Sequence, residues 1–110
     1  MKPGKRNRKN KIGEPFVPVI KHMIKSPAFK KLSNASLVAY LLLKSQCNES
    51  GQREVLFPYG DAEKYMKRAI FARSIKQLAE LGFIEKSSYG GLYRRTNVYR
   101  FMEGWRQIEK

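Results

Sequence analysis

The chain has one cysteine, Cys47, and one histidine, His22, among 110 residues. A single thiol excludes an internal disulfide and any multi-cysteine metal site, and a lone imidazole leaves no cysteine–histidine or serine–histidine–acid set for nucleophilic catalysis. Acids are scarce too, nine against 23 Lys and Arg. No apolar run approaches the roughly 18 to 20 residues needed to span a bilayer, and no basic amphipathic helix stands apart from the core pattern, so no membrane partner is expected. Phosphate-cradling glycine loops, metal-ligand spacings, internal repeats and long heptad runs are also missing. These absences predict a non-enzyme with no metal, no cofactor and no small-molecule ligand. Cys47 reads as a buried or half-buried thiol at a helix end, His22 as a surface or half-packed side chain, and Glu80 and Glu85 as surface ion-pair partners rather than an acid and a base.

What the chain does have is positive charge, a formal +14. Self-repulsion on that scale is tolerated when the surface meets an anion, and nucleic acid is the commonest partner of that kind, ahead of an anionic membrane or an acidic protein. The length supplies material for one core. Met1 to Pro15 carries six basic residues and one acid, a net +5, with too little apolar material to fold alone. Residues 1–15 are therefore read as a basic arm, with Lys5, Arg6, Arg8, Lys9 and Lys11 lying on phosphates or reaching into a minor groove, or as a solvated tail. Residues 16–110 are read as the folded domain. The basic start is unlike a signal peptide, which places the protein in the cytoplasm, with the nucleoid.

Along the folded part, Phe16 to Ile24 supplies an apolar stretch that reads as an extended entry and a helical turn, broken at Ser26-Pro27. Pro27 suits a helix's first position, opening a short turn from Ala28 to Lys31. Ser33 caps a broad apolar helix over Asn34 to about Cys47. Asn48 to Gln52 is a turn cluster, and Arg53 to Tyr59 is strand-like, with Pro58 tolerable only at an end or edge. Gly60-Asp61 is expected to cap a helix from Ala62 to Lys67. The next helix, Arg68 to Leu81, is closed by Gly82 in a left-handed conformation. Phe83 to Ser88 and Leu92 to Phe101, around Tyr89-Gly90-Gly91, form a hairpin. Trp105 and Ile108, three apart, dock a last turn on the body or pair two chains; sealing one core is the expected role, and a homodimer matching a palindromic site is the alternative.

That order of elements is the winged helix-turn-helix order, an α+β fold with a three-helix core and a two- to three-stranded antiparallel wing. The residues resemble it beyond topology. VPVIKHMIKSPAFKKLSNASLVAYLLLKSQ, from Val17, resembles the opening of winged-helix proteins of plasmids, phages and integrated elements. FARSIKQLAELGFIEK, from Phe71, is similar to the end of the recognition helix and first wing strand in that group and in MarR-like and GntR-like regulators. RRTNVYRF followed by GWR resembles their second wing strand and exit. The usual Gly-hydrophobic-Ser/Thr lead into the recognition helix is replaced by Met66-Lys67-Arg68. The resemblance implies a double-stranded DNA-binding protein, a transcriptional regulator of a mobile element or an origin-binding replication protein.

Between Lys64 and Lys76 there are five basic residues and no acid. With Phe71, Ile75 and Leu78 inward, a 100° step turns Ala69, Arg73, Lys76 and Glu80 outward and leaves Gln77 at the flank. Ala69 and Ala72 are small enough for close approach to a groove. Arg73 is the candidate for direct readout, because its planar fork can bond guanine bidentately. Lys67, Arg68 and Lys76 suit phosphates. Lys86, Arg94, Arg95 and Arg100 with Tyr89, Tyr93 and Tyr99 form a basic, aromatic second ribbon; Arg94 and Arg95 point to opposite sides, and Arg94 is the preferred contact. Two other functions compete: docking an acidic protein without touching nucleic acid, and binding structured RNA.

Overall fold

The computed structural model describes residues 15–48, 52–87 and 98–109. An extended entry from Pro15 leads to two single-turn helices, α1 (Lys21–Ile24) and α2 (Pro27–Lys30). Ser26 makes the joint: its hydroxyl donates to the Met23 carbonyl at 2.7 Å and accepts from the Phe29 N–H at 3.2 Å. Pro27 follows where an N–H would have no helical partner.

Helix α3 (Asn34–Lys44) starts as expected, with the Ser33 hydroxyl accepting from the Ser36 N–H at 3.1 Å. It ends before the expected Cys47. Gln46 and Cys47 donate to Leu43 and Lys44, three residues back, so the last turn tightens and stops. Strand β1 (Glu54–Leu56) leads to α4 (Tyr59–Ala62), which begins and ends earlier than the expected Ala62–Lys67. The Pro58 carbonyl accepts from Asp61 and Ala62, so the chain coils directly after the proline rather than at Gly60-Asp61. Helix α5 (Arg68–Glu80) has the expected start, and β2 (Ile84–Ser87) and β3 (Val98–Phe101) are the described parts of the hairpin. A closing 3-10 turn spans Gly104–Gln107.

The sheet order is β1-β3-β2, antiparallel throughout, with Tyr99 opposite both Val55 and Lys86. The helices α3, α4 and α5 with this sheet make the winged helix-turn-helix. On the helix-facing side of the sheet lie Val55, Ile84, Tyr99 and Phe101, all buried. Phe71, Ile75 and Leu78 of α5 close on them from the other side. Aromatic rings fill the space between: Tyr40 meets Phe83 and Phe101 edge-on at 5.9 and 5.8 Å, and Trp105 stacks on Phe83 at 6.3 Å. Trp105 is thus buried in its own chain's core, with Ile108 packed beside it.

The end of α5 is set by Gly82, whose φ is +85°. Its N–H donates to the Ala79 carbonyl and that of Phe83 to the Leu78 carbonyl, the double closure that a left-handed residue permits. A Cβ on Gly82 would stand 2.5 Å from the Gly104 carbonyl carbon, so the closing turn also needs glycine there. Among the described residues no helix is long and apolar enough to cross a membrane.

Candidate nucleic-acid interface

The buried stripe of α5 orients the rest of the helix by its own periodicity. Ala69, Ala72, Arg73, Lys76 and Glu80 are exposed, as are Lys67 and Arg68 at its start. Small residues and cations therefore share the side facing away from the core. The N-terminus of α5 has Lys67 at its cap position with no side-chain cap, and no acid in the first turn. Lys67 and Arg68 are exposed at this end, and the positive end of a helix dipole favours an anion.

Arg68 Nε lies 3.3 Å from Glu63 Oε2, both side chains being more than half exposed. An ion pair in that setting contributes little, about 0 to 1 kcal/mol.

Gln77 has a different place from the one its flank position suggested. Its Oε1 accepts from the Ser33 N–H at 2.9 Å and from the Ser36 hydroxyl at 2.6 Å, while Nε2 donates to the Lys31 carbonyl at 3.1 Å. The amide is committed to fastening α5 against the start of α3 and the end of α2. Ser33 and Ser36, which sequence reasoning missed as parts of the site, set the angle at which α5 is presented. The signal was there in Ser36, a hydroxyl buried within an apolar helix, since a buried hydroxyl requires a partner.

Lys86 is exposed on β2 and lies opposite Tyr99, which puts it on the side of the sheet against which α5 packs. Two members of the expected ribbon are used internally. Tyr99 is buried in the core. Arg100 points to the other side, with Nη2 and Nε at 2.7 and 3.1 Å from Glu54 Oε2. Glu85 sits opposite Arg100 in the next strand, so an acid–base–acid row crosses the back of the sheet. Tyr89, Tyr93, Arg94 and Arg95, and the arm residues Lys5, Arg6, Arg8, Lys9 and Lys11, lie outside the described residues.

No family model and no curated protein matches the chain. A solved structure described as the N-terminal domain of a DNA binding protein superposes with a TM-score of 0.59 at 18% identity, covering 91% of this chain and 83% of that one. At that identity the likeness establishes a shared fold.

Proposed function

We propose that this chain binds double-stranded DNA, with α5 in the major groove and the wing and basic arm on the backbone or in the minor groove. The observation that carries the reading is the cationic, small-residue side of α5, held outward by a buried stripe and led by an uncapped N-terminus. A helix of this width fits the major groove of B-form DNA, where Arg73 reads a base edge and Lys67, Arg68 and Lys76 meet phosphates. Lys86 and the wing residue Arg94 extend the contact along the strand, with Tyr93 and Arg95 as the alternative side of the ribbon. Gln77 acts from behind, fixing the pitch of α5. The similar fold found in a domain of a DNA binding protein supports the same reading.

The role we assign is regulation of transcription in a mobile element, without catalysis, in the manner of the plasmid, phage and MarR-like or GntR-like proteins the sequence resembles. Origin binding in replication is the alternative. Selecting bound duplexes from a random pool, with the full chain and with one lacking residues 1–15, tests the proposal. A defined site bound with strong salt dependence is expected. If roughly six to eight phosphates are neutralised, affinity falls by about three to four orders of magnitude between about 50 and 200 mM salt. Absence of duplex binding at low salt would refute it, and equal affinity for A-form RNA would remove groove insertion, because the deep RNA groove excludes a helix.

A further inference from the structure

We infer that the cleft between the Pro15–Ile20 segment and the closing turn is a docking site for an acidic, hydrophobic peptide segment of a partner protein. The cleft is open to solvent, with a volume of about 1060 Å³, and none of its lining residues belongs to α4, α5 or β2. It is therefore separate from the cationic side of α5, and the inference holds whether or not the chain binds DNA.

The floor is formed by Met23, Tyr40 and Trp105, side chains that the core already fixes in place. One wall is the entry segment, where Phe16 and Ile20 are 64% and 52% exposed and Val17 is also exposed. Three large apolar side chains left in water within five residues of extended chain, all lining one cleft, are the kind of surface that marks an interaction site. Covering them removes apolar surface from water, which favours association.

The rim determines what covers them. Lys44 and Arg53 line the cleft, and Lys44 Nζ stands 4.5 Å from the centre of the Phe101 ring. Among the described residues the carboxylate on the cleft is Glu103, and its Oε1 is held by Arg106 Nε at 2.9 Å. Three occupants can be weighed by charge. Residues 1–14 precede Pro15 in sequence, but they carry six basic residues and one acid, a charge that does not suit Lys44 and Arg53. A second copy brings a further +14. An acidic segment with aromatic or branched anchors places carboxylates on Lys44 and Arg53 and its apolar side chains between the entry segment and the floor.

The test is selection of a displayed library of random dodecapeptides on the full chain at raised salt, which suppresses simple polyanion attraction. Enriched peptides are expected to combine Asp or Glu with Leu, Ile, Phe or Trp. A synthetic peptide of the enriched sequence should bind at least about tenfold more weakly to Phe16→Ser, Ile20→Ser and the Lys44→Glu, Arg53→Glu pair. Phe16 and Ile20 are exposed, so their replacement leaves the core intact, which thermal unfolding checks, and duplex affinity should not change in either variant. The inference is overturned if nothing is enriched over the Phe16→Ser, Ile20→Ser double variant, if the enriched peptides lack acids, or if duplex DNA displaces them. A dimer in sedimentation that Ile20→Ser dissociates also overturns it, by giving the surface to a second copy. Deletion of residues 1–14 that tightens peptide binding tenfold would give the cleft to the arm instead.

Discussion

The Ser36 hydroxyl donates to Gln77 Oε1 at 2.6 Å, joining α3 to α5 across 41 residues of sequence. Because Gln77 also holds the Ser33 N–H and the Lys31 carbonyl, one amide fixes the helix proposed to enter DNA relative to two others. Replacing Gln77 by Leu leaves these partners without it, and we expect a loss of about 1 to 3 kcal/mol in denaturant unfolding. Duplex affinity should fall for matched and mismatched duplexes alike, since Gln77 sets the pitch at which α5 presents all of its contacts. A double-mutant cycle with Ser36→Ala should give a coupling of about 0.5 kcal/mol or more; additive effects would show that the two side chains act independently.

Arg73→Ala is expected to relax sequence preference more than total affinity, by about 1 to 3 kcal/mol of discrimination at one base pair. Lys76→Ala, and deletion of residues 1–15, should weaken all duplexes alike. Each phosphate left without its cation lowers the salt slope by about 0.9. Titrations of matched and mismatched duplexes at several salt concentrations separate the two kinds of change. If Arg73→Ala and Lys76→Ala behave identically, readout does not belong to Arg73.

Gly82→Ala should be among the most destabilising single changes. The left-handed backbone at φ +85° costs an alanine about 1 to 2 kcal/mol, and its Cβ would press on Gly104 backbone atoms 2.5 Å away. A total loss above about 2 kcal/mol is expected from calorimetry or denaturant unfolding. A smaller loss would mean that the closing turn moves aside freely.

The N-terminal half of the candidate site is legible in the sequence because it is local. Phe71, Ile75 and Leu78 at helical spacing fix which side of α5 is buried, and rotation alone then exposes Ala69, Arg73 and Lys76. The Leu81-Gly82 ending is equally local, since a left-handed closure needs glycine and little else. Gln77 escapes such reasoning for the opposite reason. Its partners lie 41 to 46 residues away, and a flank position on a helical wheel does not record what packs against it. Arg100 looks like one more cation of a basic ribbon until strand register sets it beside Glu54. The start of α4 is hidden because Pro58 reads as the end of a strand, although its carbonyl also opens the helix.

Alkaline pH should weaken the fold through Tyr40. Burial, with a smaller contribution from Cys47, pushes its hydroxyl from 10.0 up to about 12. The folded state thus holds this proton more tightly than the unfolded chain, so the contribution is complete below pH 10 and is lost as pH rises toward 12. The loss is on the order of 2 to 3 kcal/mol. Tyr40→Phe should flatten the fall in stability over that window, measured by denaturant midpoints at successive pH values. An unchanged profile would place the alkaline sensitivity elsewhere.

The middle strand of the sheet is the last of the three to be made. Because β3 lies between β1 and β2, the ribosome must add residue 101 before either neighbour has an edge to pair with. Until then Val55 and Ile84 lack the Tyr99 and Phe101 neighbours that flank them in the finished sheet. Completion of the sheet therefore waits for residue 101, and holding chaperones have their opportunity until then.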